Sequence, residues 1–132
     1  MNLTFFNTET MPRVYSGRTG TRTLSIAKQG VIYLNKAAGE LLNIDAESRI
    51  SFCQNDEGDW FVFIDDENGF PIYQKEFERN GIAQISHVQL AKNFYESYDV
   101  DGDEKKSFKV FIASEPTKVK NCNYWGLLGI IP

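Results

Sequence analysis

The chain has 132 residues, 42% of them apolar and 24% charged, with a formal net charge of −4. This is the length of one domain with apolar side chains enough for its own core, and the ordinary composition excludes a disordered or fibrous class. No apolar run approaches the ~18 residues that span a bilayer, so no membrane partner is expected. Two widely separated cysteines and one histidine exclude a conventional zinc site.

Charge is spread unevenly. Residues 1–36 carry Arg13, Arg18, Arg22, Lys28 and Lys36 against Glu9 alone, a net of +4, whereas residues 37–69 carry nine acids against Arg49, a net of −8. Such asymmetry points either to a charged partner or to neutralisation of one part of the fold by the other. The stretch from Met1 to Asn7 has neither a basic leader nor a signal-length apolar segment. With Cys53 and Cys122 in apolar neighbourhoods, a cytoplasmic protein with reduced thiols is expected.

In chain order, Phe5, Phe6 and Met11 are expected to tack the first dozen residues onto the body. Ser16 to Gly20 has turn chemistry, Thr21 to Ile26 reads as a strand, and Val31 to Leu34 returns as the second arm of a hairpin. Asn35 is a suitable helix N-cap, followed by a short helix with Ala37, Ala38, Leu41 and Leu42 on its apolar face, ended by Asn43. Ile44 plugs inward after the helix, Asp45 to Ser48 makes a turn, and Arg49 to Gln54 is a strand.

Asn55 to Asp59 is a strong hairpin signal. Trp60 to Ile64 is apolar on both faces, as in a strand covered twice or a strand with one face open to a ligand or partner. A second acidic turn, Asp65 to Gly69, leads to Phe70 to Tyr73, and Gly81 to Ile85 forms the next strand. A second helix follows, with Ser86 and Gln89 as a capping box and Leu90, Ala91, Phe94, Tyr95 and Tyr98 as its apolar stripe. Phe108 to Ala113 and Tyr124 to Ile131 complete the strands, with Lys118 to Asn121 as an exposed loop between them.

Gly30 to Asn35 and Gly81 to Ser86 share one pattern: a glycine, a short apolar run and a capping residue before a helix. The expected fold is therefore α+β, a twisted antiparallel sheet with two helices, built as duplicated β-β-α-β-β units spanning approximately 13–68 and 69–132 of a single domain.

Little in this pattern suggests catalysis. His87 falls in the first turn of a helix with no nucleophile placed beside it, and the acids cluster in turns, whereas a general acid needs a sheltered position. Asp99 to Asp103 opens like a calcium loop, but Glu104 stands where that loop needs glycine and Val110 where it needs a bidentate Glu. No enzyme activity, metal or cofactor is expected. The candidate binding residues are Arg13, Tyr15, Arg18, Arg22 and Lys28: guanidinium groups grip phosphate oxygens through paired donors, and an aromatic ring offers a stacking face for a base.

The frame Gly30, Val31, Tyr33, Leu34, Asn35, Lys36, Leu42, Ile44, Arg49, Ile50 and Phe52 resembles swapped-hairpin DNA-binding domains of the AbrB/SpoVT type over Lys28 to Phe52. Two positions depart from that family: Asn35 replaces a usual Pro, and Glu47 with Ser48 replaces Gly-Asp. Gly81 to Ser86 with its following helix is similar to the sheet-to-helix junction of Whirly and related transcriptional-coactivator proteins, with the helices shifted by two strands within each repeat. Both resemblances imply DNA as the partner. The expected function is a non-enzymatic DNA-binding protein for single-stranded or distorted DNA, with a transcription-regulator-like role. The alternative is a protein-interaction or self-assembly module, a homo-oligomer being one form, whose interface uses the doubly apolar Trp60 to Ile64 strand.

Overall fold

A computed structural model of the chain describes residues 21–132. Within them nine strands and three helices follow one another: β1 (Thr23–Ala27), β2 (Val31–Leu34), α1 (Lys36–Leu41), β3 (Arg49–Gln54), β4 (Trp60–Ile64), β5 (Phe70–Pro71), α2 (Gln74–Asn80), β6 (Ala83–Ser86), α3 (Val88–Ser97), β7 (Ser107–Ile112), β8 (Thr117–Val119) and β9 (Cys122–Ile130). The result is a mixed α and β fold, mostly sheet. Each strand pairing is antiparallel, in the order β5-β3-β4-β9-β7-β1-β2-β6, with β8 beside β9.

Alternation makes the sheet one-sided. Leu24, Ile26, Ile32, Leu34, Ile50, Val62, Ile85 and Val110 recur at every second position of their strands and are fully or almost fully buried. Their common face curls inward until the two edges nearly meet. Tyr73, just past β5, donates its backbone N–H to the Gln84 carbonyl of β6 at 3.0 Å, so the sheet is close to a barrel.

The third helix lies inside this curl. Phe94 meets Phe52 of β3 at a ring-centroid distance of 5.3 Å and Trp60 of β4 at 4.4 Å. On the other side Tyr95 and Tyr98 meet Phe108 of β7 at 4.9 and 5.7 Å. One short helix therefore joins strands that lie on either side of β9, and this holds the curvature. The approach needs Gly30: at φ +112° it turns β1 into β2 while a side chain there would lie 3.0 Å from the Val88 amide nitrogen.

Asn35 caps α1 as expected, accepting from Ala38 N at 2.9 Å. It also ties down the start of β1, accepting from Thr23 N at 3.3 Å and donating to the Thr21 carbonyl at 2.7 Å. Four other expectations change. The cap of α3 is His87, whose Nδ1 accepts from Leu90 N at 3.1 Å; Gln89 instead donates to Asn93, so no Ser86–Gln89 capping box forms. Gln74–Asn80, between β5 and β6, is a helix that brings the total to three instead of two. Phe70 to Tyr73 contributes only the two residues of β5. Lys118 and Val119 belong to strand β8 instead of a loop, and Lys120 and Asn121 turn the ribbon at φ 50° and 67°. The first half of the chain follows the β-β-α-β-β order, whereas the second carries two helices and the divided β7-β8-β9 arm.

Candidate interaction surface

Of the five expected binding residues, Arg13, Tyr15 and Arg18 lie outside the described residues. Arg22 immediately precedes β1; its carbonyl accepts from Ile112 N at 3.0 Å, and its Nε is buried without a hydrogen-bond partner among the described residues. Lys28 sits in the turn after β1, its Nζ 3.4 Å from Asp103 Oδ1 in an exposed ion pair. Six residues of extended chain put Arg22 and Lys28 about 20 Å apart. The fold does not bring these two cations together.

What it does bring together is apolar. On β4, Trp60 and Val62 are buried against the core, whereas Phe61 and Phe63 lie half-buried on the outer face. The register sets Cys53 opposite Phe61 and Phe61 opposite Gly126, so both neighbours of Phe61 are small. Phe63 packs on Tyr124 of β9 with ring centroids 4.8 Å apart. The β8–β9 ribbon rises beside them and closes a groove of about 380 Å³. Cys53, Gln54 and Asn55 form one wall, Phe61 and Tyr124 the floor, and Thr117 and Val119 the other wall. Burial pushes the Cys53 thiol above its ordinary pKa, so it serves as a small apolar side chain and a poor nucleophile.

The exposed apolar residues favour the same arm of the chain. Of the six large hydrophobic side chains left substantially exposed among the described residues, Phe111, Val119, Leu128 and Ile130 belong to β7, β8 and β9. Of these, Val119 lines the groove.

A second cleft of about 440 Å³ lies at the end of α3, between Ser97, Tyr98, Asp59, Trp60 and the Leu127–Gly129 stretch. Burial, then the charge of Asp59, pushes the Tyr98 phenol up to about 12, and its hydroxyl donates to the Leu128 carbonyl at 3.2 Å. A phenol held protonated in this way is no base at neutral pH. The indole N–H groups of Trp60 and Trp125 are buried without an acceptor among the described residues. His87 is engaged as a helix cap, and the Asp99–Asp103 loop is closed by its own bonds, Asp101 accepting from Asp103 N at 2.9 Å. Among the described residues no three metal-ligating side chains converge, and no helix is long and apolar enough to cross a membrane.

No protein-family model, curated protein or solved structure matches this chain. The functional reading therefore rests on its own geometry. Of the groove residues only Phe61 is marked in the sequence, through the doubly apolar Trp60 to Ile64 strand expected at an interface; Cys53, Gln54, Asn55, Thr117, Val119 and Tyr124 carry no such signal.

Proposed function

We propose that this domain is a non-enzymatic protein-interaction module whose binding face is the outer surface of β3, β4, β8 and β9. The observation that carries the reading is the groove over Phe61 and Tyr124: concave, apolar at its floor and walled by two further segments. Interfaces are built around such patches, in which an apolar centre accepts one or two anchor side chains from the partner. Half-buried rings on the outside of a sheet gain free energy when covered, at about 25 cal/mol per Å² of apolar surface removed from water. DNA binding by the basic segment 13–28 is a separate reading that draws on the cations of that segment, the ring of Tyr15 and the two resemblances given above.

The test uses peptides selected from a randomised displayed library against the immobilised domain. Groove-directed peptides lose binding to Val119→Asp, because Val119 is exposed on the groove wall, and keep it to Val88→Asp, a substitution on the equally exposed start of α3. Selected peptides that bind both variants as well as the parent would remove the proposal.

A further inference from the structure

The acidic turns say what kind of segment the groove takes, and the inference rests on the interaction reading above. β4, which supplies the groove floor, is bounded at both ends by carboxylates: Asp56, Glu57 and Asp59 before it, and Asp65, Asp66 and Glu67 after it. Two of the six have local duties. Asp59 accepts from Asn55 Nδ2 at 3.2 Å, and Asp65 accepts from Ser51 Oγ at 2.9 Å and from Asn68 N at 3.0 Å. Asp56, Glu57, Asp66 and Glu67 are exposed, and their carboxylates enter no hydrogen bond or ion pair with the described residues.

Cations near this face are fewer. Arg49 spends its Nε on the Gly69 carbonyl at 2.8 Å. Lys118 alternates with the groove-lining Thr117 and Val119 and so points off the groove, and Lys120 sits in the turn of the ribbon. An apolar floor between two negative ends is complementary to the reverse arrangement: bulky apolar side chains in the middle, positive charges at the two ends.

We propose that the occupant is an extended, cationic protein segment, with one or two apolar anchors over Phe61 and Tyr124 and Lys or Arg at each end. The five residues of β4 separate the acidic turns by about 17 Å, so a partner of about six to eight extended residues reaches both. The apolar anchors supply the affinity, and the flanking charges select the partner and speed its capture.

The experiment is a fluorescence-anisotropy titration of the full chain with three labelled peptides, each of about eight residues with a Tyr-Val centre. Their ends carry arginine, serine or glutamate. At low salt the arginine peptide is expected to bind about tenfold or more tighter than the serine peptide, and the glutamate peptide weakest, with the differences shrinking as salt is added. Replacing Asp56, Glu57, Asp66 and Glu67 by Asn or Gln brings the three affinities together. Val119→Asp separates groove binding from general attraction to an acidic protein: it adds a negative charge yet abolishes binding of the arginine peptide. Equal affinities for arginine and serine peptides would overturn the inference while leaving the interaction reading intact. So would an arginine preference that survives the four replacements, or one that strengthens in Val119→Asp. Selected library peptides that ignore the groove would take both readings down.

Discussion

Replacing Phe94 by alanine tests whether α3 holds the sheet curled. The side chain is fully buried and touches rings from two strands, Phe52 and Trp60, at 5.3 and 4.4 Å. Truncating a buried Phe costs about 3–5 kcal/mol, and the loss of two aromatic contacts places this site near the top, at about 4–5 kcal/mol. A chain of this length has a total stability of about 7–15 kcal/mol, so the variant gives up about a quarter or more of it. Urea titration should show the midpoint fall with little change in slope, and the melting temperature should drop by about 12–20 °C. Phe94→Leu keeps most of the volume and should lose only about 1–2 kcal/mol. An alanine variant within about 2 kcal/mol of the parent would refute the reasoning, because the curl would then be held by the strand ladder alone.

Other expectations follow from single contacts. Gly69→Ala should lower stability by about 1–3 kcal/mol in thermal denaturation, since a methyl group there meets Ile50 N at 2.8 Å and the Arg49 carbonyl carbon at 2.9 Å, both backbone atoms. His87→Ala should cost about 1 kcal/mol through the lost cap of α3, and His87→Asn should restore most of it, measured by the same assay. Tyr98 titrates at about 12 in the folded chain, above its unfolded value of 10, so its contribution is fully present below pH 10 and is lost as the pH rises to 12. Allowing for its partial exposure, this is about 1–2 kcal/mol, read as the difference in alkaline unfolding between the parent and Tyr98→Phe. Finally, a salt titration with labelled single-stranded DNA separates the two functional readings. The interaction module is expected to show no binding at low salt, whereas steeply salt-dependent binding that is lost in Arg18→Glu/Arg22→Glu would favour the basic segment.

The parts of the fold legible in the sequence are those where local chemistry and tertiary demand agree. The bounds of β2, β3 and β4 follow from tight turns at Gly30, Asp45 to Ser48 and Asn55 to Asp59 around alternating apolar residues, and Asn35 could be read as a cap because an apolar helix face follows it at once. The second helix escaped because Phe77 is its one large apolar residue and its N-cap, Tyr73, makes no side-chain bond. Its signals are weaker: helix-forming residues, the Glu76–Arg79 pair, and Gly81 in the left-handed conformation after its last turn. At α3, Ser86 has the better capping chemistry, but the pairing of β2 with β6 keeps Ser86 in the strand opposite Val31 and leaves His87 to do the capping. The groove was illegible for a different reason. It joins Cys53 and Phe61 to Thr117, Val119 and Tyr124, more than fifty residues further on, and only the pairing of β4 with β9 brings them together.

The single bond from Tyr73 to Gln84 gives the cylinder a seam, and its position in the chain governs how the molecule opens. The two edges it joins are eleven residues apart with α2 between them, so closing the seam confines little chain, whereas the pairings of β1 with β7 and β4 with β9 link segments more than sixty residues apart. Because one backbone bond closes this line, amide exchange should begin there, at Tyr73 and the exposed strand edges beside it, while the β1–β7 ladder, paired over five residues, exchanges only when the whole domain unfolds. Breathing at the seam leaves β4 and β9 paired, so the outer groove keeps its shape while the opposite side of the wall loosens.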